Sequence, residues 1–134
     1  MKLRQKLVAL SAAALVMLGS VARAGDLYVI ANSATTVSPS DVREIFLGEK
    51  QFAGSVKLVP VDNASAQEQF LAKVMKMEAA KYTSSWTKKS FRDGVSPPAV
   101  KGSDADTIEF VKQTAGAVGY VGTSPAGVNV VGKF

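Results

Sequence analysis

Small hydroxyl side chains stand before three expected helices in this chain, at residues 38–40, 63–65 and 103. Turns of this kind bind anions, because free backbone amides and the positive end of the helix dipole point at the same place. The chemistry they offer is recognition of negative charge without proton transfer. The same residue types also cap helices, and we expect capping at Ser103, which has Asp104 and Asp106 beside it.

Catalytic chemistry has few groups to use in this sequence. The chain contains no histidine and no cysteine, which excludes a Ser-His-Asp triad, a thiolate nucleophile and the commonest zinc ligands. Two pairs of carboxylates lie close together, Asp41 with Glu44 and Asp104 with Asp106. Both fall in expected first helical turns, where acids stabilise the dipole. We therefore expect no enzyme, no metal site and no cofactor.

Arginine is the side chain best suited to pair with phosphate or carboxylate, and two arginines follow residue 24. Arg43 has acidic neighbours on its expected helix, so we expect it to be a solvated surface residue. Arg92 directly precedes Asp93. An ion pair and an anion contact both fit Arg92.

The first 24 residues have the organisation of a secretory signal peptide. A basic start precedes an apolar run at residues 7–18, and small residues in an A-x-A arrangement end at Ala24. The run is shorter than the roughly 20 residues of a membrane span. We expect cleavage after Ala24, export to the periplasm and a mature domain from Gly25 to Phe134.

The basic character of the chain comes largely from this leader. Without the leader's four basic residues the basic count falls from 16 to 12 against 11 acidic residues, so the net charge falls from +5 to +1. The remainder has no basic stripe with interleaved aromatic residues and no apolar run of membrane length. We expect neither nucleic-acid binding nor a membrane-embedded mature form.

Strand and helix patterns alternate along the rest of the chain, which favours an α/β layer domain. Expected strands lie at residues 26–31, 56–62, 118–121 and 128–131, and helices begin near residues 38, 66, 78 and 103. Pro60 should put its strand near an edge or end its pairing early. Residues 95–102, with Pro97 and Pro98, should form an extended connector. We expect Tyr120 to pack against Trp86 or Pro97.

Four motifs occur in an order that is typical of one family. They are a helix end Ile45-Phe46-Leu47-Gly48, a serine loop leading into a helix that carries Phe70, a helix that carries Trp86, and the strand that follows Gly116. In this order the chain resembles small periplasmic-binding-protein-like domains related to the substrate-binding proteins of phosphate transporters. The resemblance implies a type 2 periplasmic-binding-protein αβα layer fold with a small mixed sheet in a single domain.

The resemblance also implies a function, which is binding of phosphate or a related oxyanion without catalysis, for an ABC transporter permease or a sensor protein. The family's serine loop holds the anion with backbone amides and hydroxyl groups. In this chain the corresponding residues are Asn63, Ala64, Ser65 and Ala66, and we expect Thr35 and Thr36 to face them across the site.

Three departures from the family support an alternative function. The arginine that pairs with phosphate in the family is replaced by Pro60 or Val61, and its Gly-Thr pair is replaced by Ala66 and Gln67. Removal of the 24-residue leader leaves 110 of the 134 residues, enough for about one lobe of a two-lobed receptor. The alternative is a protein-interaction module that keeps the fold and has lost the ligand. Such a module would bind another protein or pair with a second copy of itself as a homodimer.

Overall fold

The computed structural model describes residues 25–134. The predicted signal peptide, residues 1–24, lies outside the described residues. Within 25–134, every helix falls short of the length and apolar character needed to cross a bilayer.

Seven strands and several short helices make up the described part of the chain. The strands are β1 (Tyr28–Ala31), β2 (Phe52–Ala53), β3 (Val56–Lys57), β4 (Val59–Asn63), β5 (Ala99–Lys101), β6 (Ala117–Val121) and β7 (Asn129–Lys133). The helices are α1 (Val42–Phe46), α2 (Gln67–Phe70), α3 (Ala79–Asp93) and α4 (Asp104–Gln113). A 3-10 turn at Pro39–Asp41 leads into α1, and a π-helical turn at Leu71–Met75 continues α2.

Five of these strands form a mixed sheet in the order β5-β4-β6-β1-β7. Strand β4 runs parallel to both β5 and β6, whereas β1 is antiparallel to both β6 and β7. Strands β2 and β3 form a separate hairpin. The predicted α/β class with a small mixed sheet is confirmed.

The two faces of the sheet bury different sets of side chains, because neighbouring residues of a strand point to opposite sides. Val29 and Tyr120 point to the face covered by α1, α2 and α3. Ile30 and Val121 point to the other face, where Val111 of α4 packs. The sheet therefore lies between two helical layers, as the αβα prediction requires.

Most element boundaries follow the signals in the sequence. Proline at the first helical position opens the 3-10 turn, and Gly48, with φ of 75°, follows the end of α1. Ser103 caps α4 by accepting a hydrogen bond from the backbone N–H of Asp106 at 3.1 Å, as predicted. Ser38 does not cap its helix, because its hydroxyl pairs with that of Ser40.

Two strand regions differ from prediction. The expected strand at 56–62 is divided into β3 and β4, and the connector at 95–102 contains the edge strand β5. Pro60 lies in an inner strand, where a missing N–H would usually be costly. It is tolerated because β4 pairs with β6 at Val59 and Pro60 and with β5 only from Val61 onward.

Gly116 holds the hairpin, β4 and β6 in close contact. It has φ of 85°, and an added Cβ would lie 2.1 Å from the carbonyl oxygen of Lys57. Its own carbonyl accepts a hydrogen bond from the backbone N–H of Val59 at 2.8 Å. A side chain at this position would require both a left-handed backbone and a displaced strand.

We expect Gly116→Ala to lower the free energy of unfolding by roughly 2–4 kcal/mol, the sum of left-handed strain and overpacking. Gly102→Ala is the matched control, since an added Cβ at Gly102 meets nothing within 4 Å. Urea unfolding of both variants measures the difference. Equal losses would contradict the tight packing around Gly116.

Candidate functional site

The serine loop is a closed turn whose backbone amides already donate hydrogen bonds. Ala64 N–H donates to the carbonyl oxygen of Lys101 at 2.8 Å, and Ala66 N–H donates to that of Asn63 at 3.0 Å. Ser65 N–H donates to Asn63 Oδ1 at 3.0 Å. The backbone N–H groups of the loop are therefore satisfied by acceptors within the loop and at the end of β5.

The carboxylate of Asp104 is the acceptor at the centre of this site. Asn63 Nδ2 donates to Asp104 Oδ1 at 2.8 Å, and the Ser65 hydroxyl lies 3.3 Å from the same oxygen. Asp104 Oδ2 accepts from Gly122 N–H at 3.1 Å and from the Thr123 hydroxyl at 3.1 Å. These donors are of the kinds that bind a dissolved oxyanion, and here they surround a carboxylate of the chain itself.

Asn63 joins three elements through one side chain. It is fully buried at the end of β4, and its Nδ2 donates both to Asp104 on α4 and to the carbonyl oxygen of Tyr120 on β6 at 2.9 Å. Its Oδ1 accepts from the Ser65 hydroxyl at 2.7 Å, a shorter contact than the one that hydroxyl makes with Asp104. The position is therefore needed by the framework.

Thr35 and Thr36 do not face the serine loop, and this expectation is corrected. Strand β1 is antiparallel to β6 and β4 is parallel to it, so the end of β1 lies at the start of β6 and the serine loop lies at its other end. The five residues of β6 separate the two clusters by about 15 Å. Sequence order alone could not reveal this, because it does not fix strand direction.

Thr35 and Thr36 line a separate cavity that also includes Asp41 and Lys50. Thr35 is 2% exposed, and its hydroxyl accepts a hydrogen bond from Gly116 N–H at 2.9 Å. Thr36 is exposed.

Both arginines have contacts within the framework. Arg43 Nε donates to the carbonyl oxygen of Met75 at 3.1 Å, at the end of the π-helical turn. Arg92 forms an ion pair with the adjacent Asp93 at 3.1 Å, one of the two alternatives left open by the sequence. The donors that surround Asp104 include neither arginine.

A buried carboxylate that sequence reasoning missed lies under the sheet's aromatic face. Asp62 is 2% exposed; its Oδ1 accepts from Tyr120 at 2.6 Å and its Oδ2 accepts from Tyr82 at 2.9 Å. Desolvation raises the pKa of Asp62, although the two tyrosine hydrogen bonds oppose that shift. Burial and the nearby carboxylate raise the pKa of both tyrosines, so both remain protonated donors.

The aromatic residues of the family motifs form the core beside Asp62. Tyr120 stacks on Phe70 with ring centroids 3.9 Å apart, and it shares one core cluster with Trp86. The stacking partner is thus Phe70, which the sequence did not suggest. Phe46 contacts Phe70 edge-on at 4.8 Å. Trp86 Nε1 donates to the carbonyl oxygen of Phe46 at 2.9 Å. The aromatic residues of the motifs are thus residues of the hydrophobic core.

Two further cavities lie on either side of the segment 95–98. The first has a volume of about 390 Å³ and is rimmed by Lys50, Lys57 and Lys89; we call it the lysine-rimmed cavity. The second has about 470 Å³ and is bordered by the exposed Phe91 and Val100. Both share the walls formed by Trp86, Pro97 and Pro98. Among residues 25–134, no cluster of acidic side chains is placed to hold a metal ion.

The buried Asp62 makes stability depend on pH with a defined sign. Its folded pKa is raised above the ordinary value of 3.8, so between the two values the folded state binds more protons than the unfolded state. We expect the free energy of unfolding, relative to that of Asp62→Asn, to fall as pH rises from about 4 through the folded pKa. Urea unfolding of both proteins at a series of pH values measures this difference, and a rise or a constant difference would contradict it.

The hydrogen bonds on Asp104 predict a second effect on stability. Asp104→Asn replaces one acceptor oxygen by a donor that faces Gly122 N–H, so we expect a loss of about 1–3 kcal/mol. Asp106→Asn makes the same chemical change on the same helix at an exposed side chain and serves as the control. An equal decrease of the melting temperature in both variants would show that the carboxylate of Asp104 has no special structural role.

Two solved structures superpose on most of this chain at low sequence identity. An ABC-type phosphate transport receptor from Vibrio cholerae superposes with a TM-score of 0.49 and 17% identity, over 81% of this chain and 46% of that one. PstS from Borrelia burgdorferi superposes with a TM-score of 0.46 and 14% identity, over 74% of this chain and 44% of that one. No protein-family model and no curated protein matches the chain. The chain spans less than half the length of either protein.

Proposed function

We propose that the protein is a non-catalytic binding domain of the periplasm whose ligand is another protein. The observation that carries this proposal is the hydrogen bonding of Asp104. Donors from the serine loop and from the segment after β6 are occupied by a carboxylate of the chain, so the loop serves to join the fold together.

Charge repulsion and the existing hydrogen bonds both disfavour an oxyanion at this loop. A phosphate would approach a negatively charged carboxylate, and like charges at contact distance repel. It would also have to take the amides of Ala64, Ser65 and Ala66 from the acceptors that they already have. Each existing hydrogen bond that is lost costs about 0.5–1.5 kcal/mol.

Phosphate or a related oxyanion, delivered to a transporter permease or a sensor, is the competing function. The serine loop itself supports it, since Asn63, Ala64, Ser65 and Ala66 are the residues that the family resemblance assigns to the anion. The two functions make opposite predictions about the same loop, so one titration separates them.

Exposed apolar side chains support a protein partner. Phe91 is 94% exposed and Val100 is 61% exposed, and both border the second cavity. Large apolar groups that cluster on a surface commonly mark an interface with another protein. The buried Asp62 and its two tyrosines lie beneath this surface and fix its shape.

We expect isothermal titration of the purified protein with phosphate, sulfate or molybdate to give no saturable heat, because the donors are occupied. Differential scanning fluorimetry should show no shift at millimolar anion. The oxyanion function would be established instead by a saturable heat of binding that is lost in Ser65→Ala. The control variant Ser84→Ala, on α3, would have to keep that heat.

The partner is tested in cells with a photo-cross-linking amino acid. Placed at Phe91, it should give a discrete cross-linked species, while placed at Val130, which is 50% exposed on β7, it should give none. Equal labelling at the two positions would contradict a protein-binding surface next to α3.

A further inference from the structure

The lysine-rimmed cavity has the dimensions and the lining of a binding pocket. Its volume of about 390 Å³ falls within the range of pockets that enclose a side chain or small ligand. The walls are mainly apolar and come from α1, the residues around the start of β4, α3, α4 and the segment 95–98; they include Ile45, Leu58, Val59, Trp86, Pro98 and Phe110.

The packing around Gly48 fixes the shape of this cavity. An added Cβ at Gly48 would lie 2.7 Å from Trp86 Cη2 and 2.8 Å from Lys89 Cε. The absence of a side chain therefore lets the indole and the lysine stem lie against the turn after α1. Trp86 Nε1 is already bonded to the carbonyl oxygen of Phe46, so the indole offers the cavity an apolar surface.

The rim of the cavity is positively charged. Lys57 lies over the ring of Phe52 at 5.6 Å, Lys50 lies 3.9 Å from Asp41, and Lys89 lies 3.4 Å from Asp93. The Lys50 pair is about one third exposed, and the Lys89 pair joins a side chain that is 16% exposed to one that is 39% exposed. Ion pairs that reach solvent contribute about 1 kcal/mol or less, so a partner's carboxylates can compete for these lysines. Within residues 25–134, the side chains that line the cavity include no carboxylate.

We propose that the lysine-rimmed cavity binds an acidic segment of a partner protein that carries one bulky apolar side chain. The apolar side chain enters the cavity against Trp86, and flanking carboxylates pair with Lys50, Lys57 and Lys89. This inference rests on the proposed protein-binding function and names the partner's chemistry. The combination of an apolar anchor with complementary rim charges is a common basis of affinity and specificity.

Charge complementarity favours this occupant over the chain's own segments. Residues 25–134 carry 12 basic and 11 acidic residues, so a second copy offers the rim no net negative charge. Its most exposed apolar side chain, Phe91, is followed directly by Arg92. The first 24 residues carry Lys2, Arg4, Lys6 and Arg23 and no acid, which the rim would repel.

Trp86 is the single tryptophan of the chain and reports occupancy of the cavity through its fluorescence. Three synthetic peptides serve as probes: acetyl-Glu-Asp-Leu-Phe-Asp-Glu-amide, its analogue with every acid replaced by lysine, and its analogue with serines in place of Leu-Phe. We expect a saturable fluorescence change with the first peptide that weakens as salt rises, and none with the other two.

Charge reversal on the rim tests the electrostatic part of the inference. We expect Lys57→Glu and Lys89→Glu together to weaken binding of the acidic peptide about tenfold or more. Lys57→Glu alone, at an exposed hairpin position, should weaken it without affecting the melting temperature. Lys88→Glu, an exposed lysine next to Lys89 on α3, is the matched control and should leave affinity unchanged.

Equal binding of all three peptides, or no saturable change with the acidic one, would overturn the inference. The inference would also fail if the protein self-associates with rising concentration, if this association blocks the acidic peptide, and if Lys57→Glu does not weaken the association. That result would assign the cavity to a second copy of the chain. A discrete cross-link at Phe91 together with any of these results would refute the acidic partner and leave the proposed function standing. Saturable phosphate heat at the serine loop would refute the proposed function itself.

Discussion

The carboxylate of Asp104 accepts hydrogen bonds from the end of β4 and from the segment that follows β6, while it belongs to the first turn of α4. Three parts of the chain that are distant in sequence are thereby joined at one end of the sheet. Of these donors, Asn63 is fully buried, and its amide would be costly without an acceptor. A dissolved anion would therefore have to compete with Asp104 for one set of donors.

A second carboxylate, that of Asp62, lies within the core between α3 and β6. Asp62 is buried with two tyrosine hydroxyls, and one of those tyrosines stacks on Phe70 at 3.9 Å. A buried acid is tolerated only when its oxygens are hydrogen-bonded. Asp62 therefore constrains the positions of α3 and β6 together, and it shapes the floor of the surface that Phe91 and Val100 expose.

The sequence predicted the elements with strong local signals and missed those set by distant contacts. The apolar stripe of α1, the cap at Ser103 and the buried strand after Gly116 follow from residue spacing alone. Strands β2 and β5 and the break between β3 and β4 were missed, because segments of two or three residues carry too weak a pattern. The separation of Thr35 from Ser65 depends on the antiparallel pairing of β1 with β6, which no local signal encodes. Asp62 could have been suspected as a single acid at the end of an apolar run.

The serine loop should not respond to added anion if Asp104 retains its donors. The backbone amide resonances of Ala64, Ser65, Ala66 and Gly122 can be followed by nitrogen-15 NMR while phosphate is added at constant ionic strength. Because these amides already donate to acceptors within the chain, we expect their chemical shifts to stay constant. Saturable, concerted shifts of these four amides would contradict it and would establish that the loop releases Asp104 to bind an oxyanion.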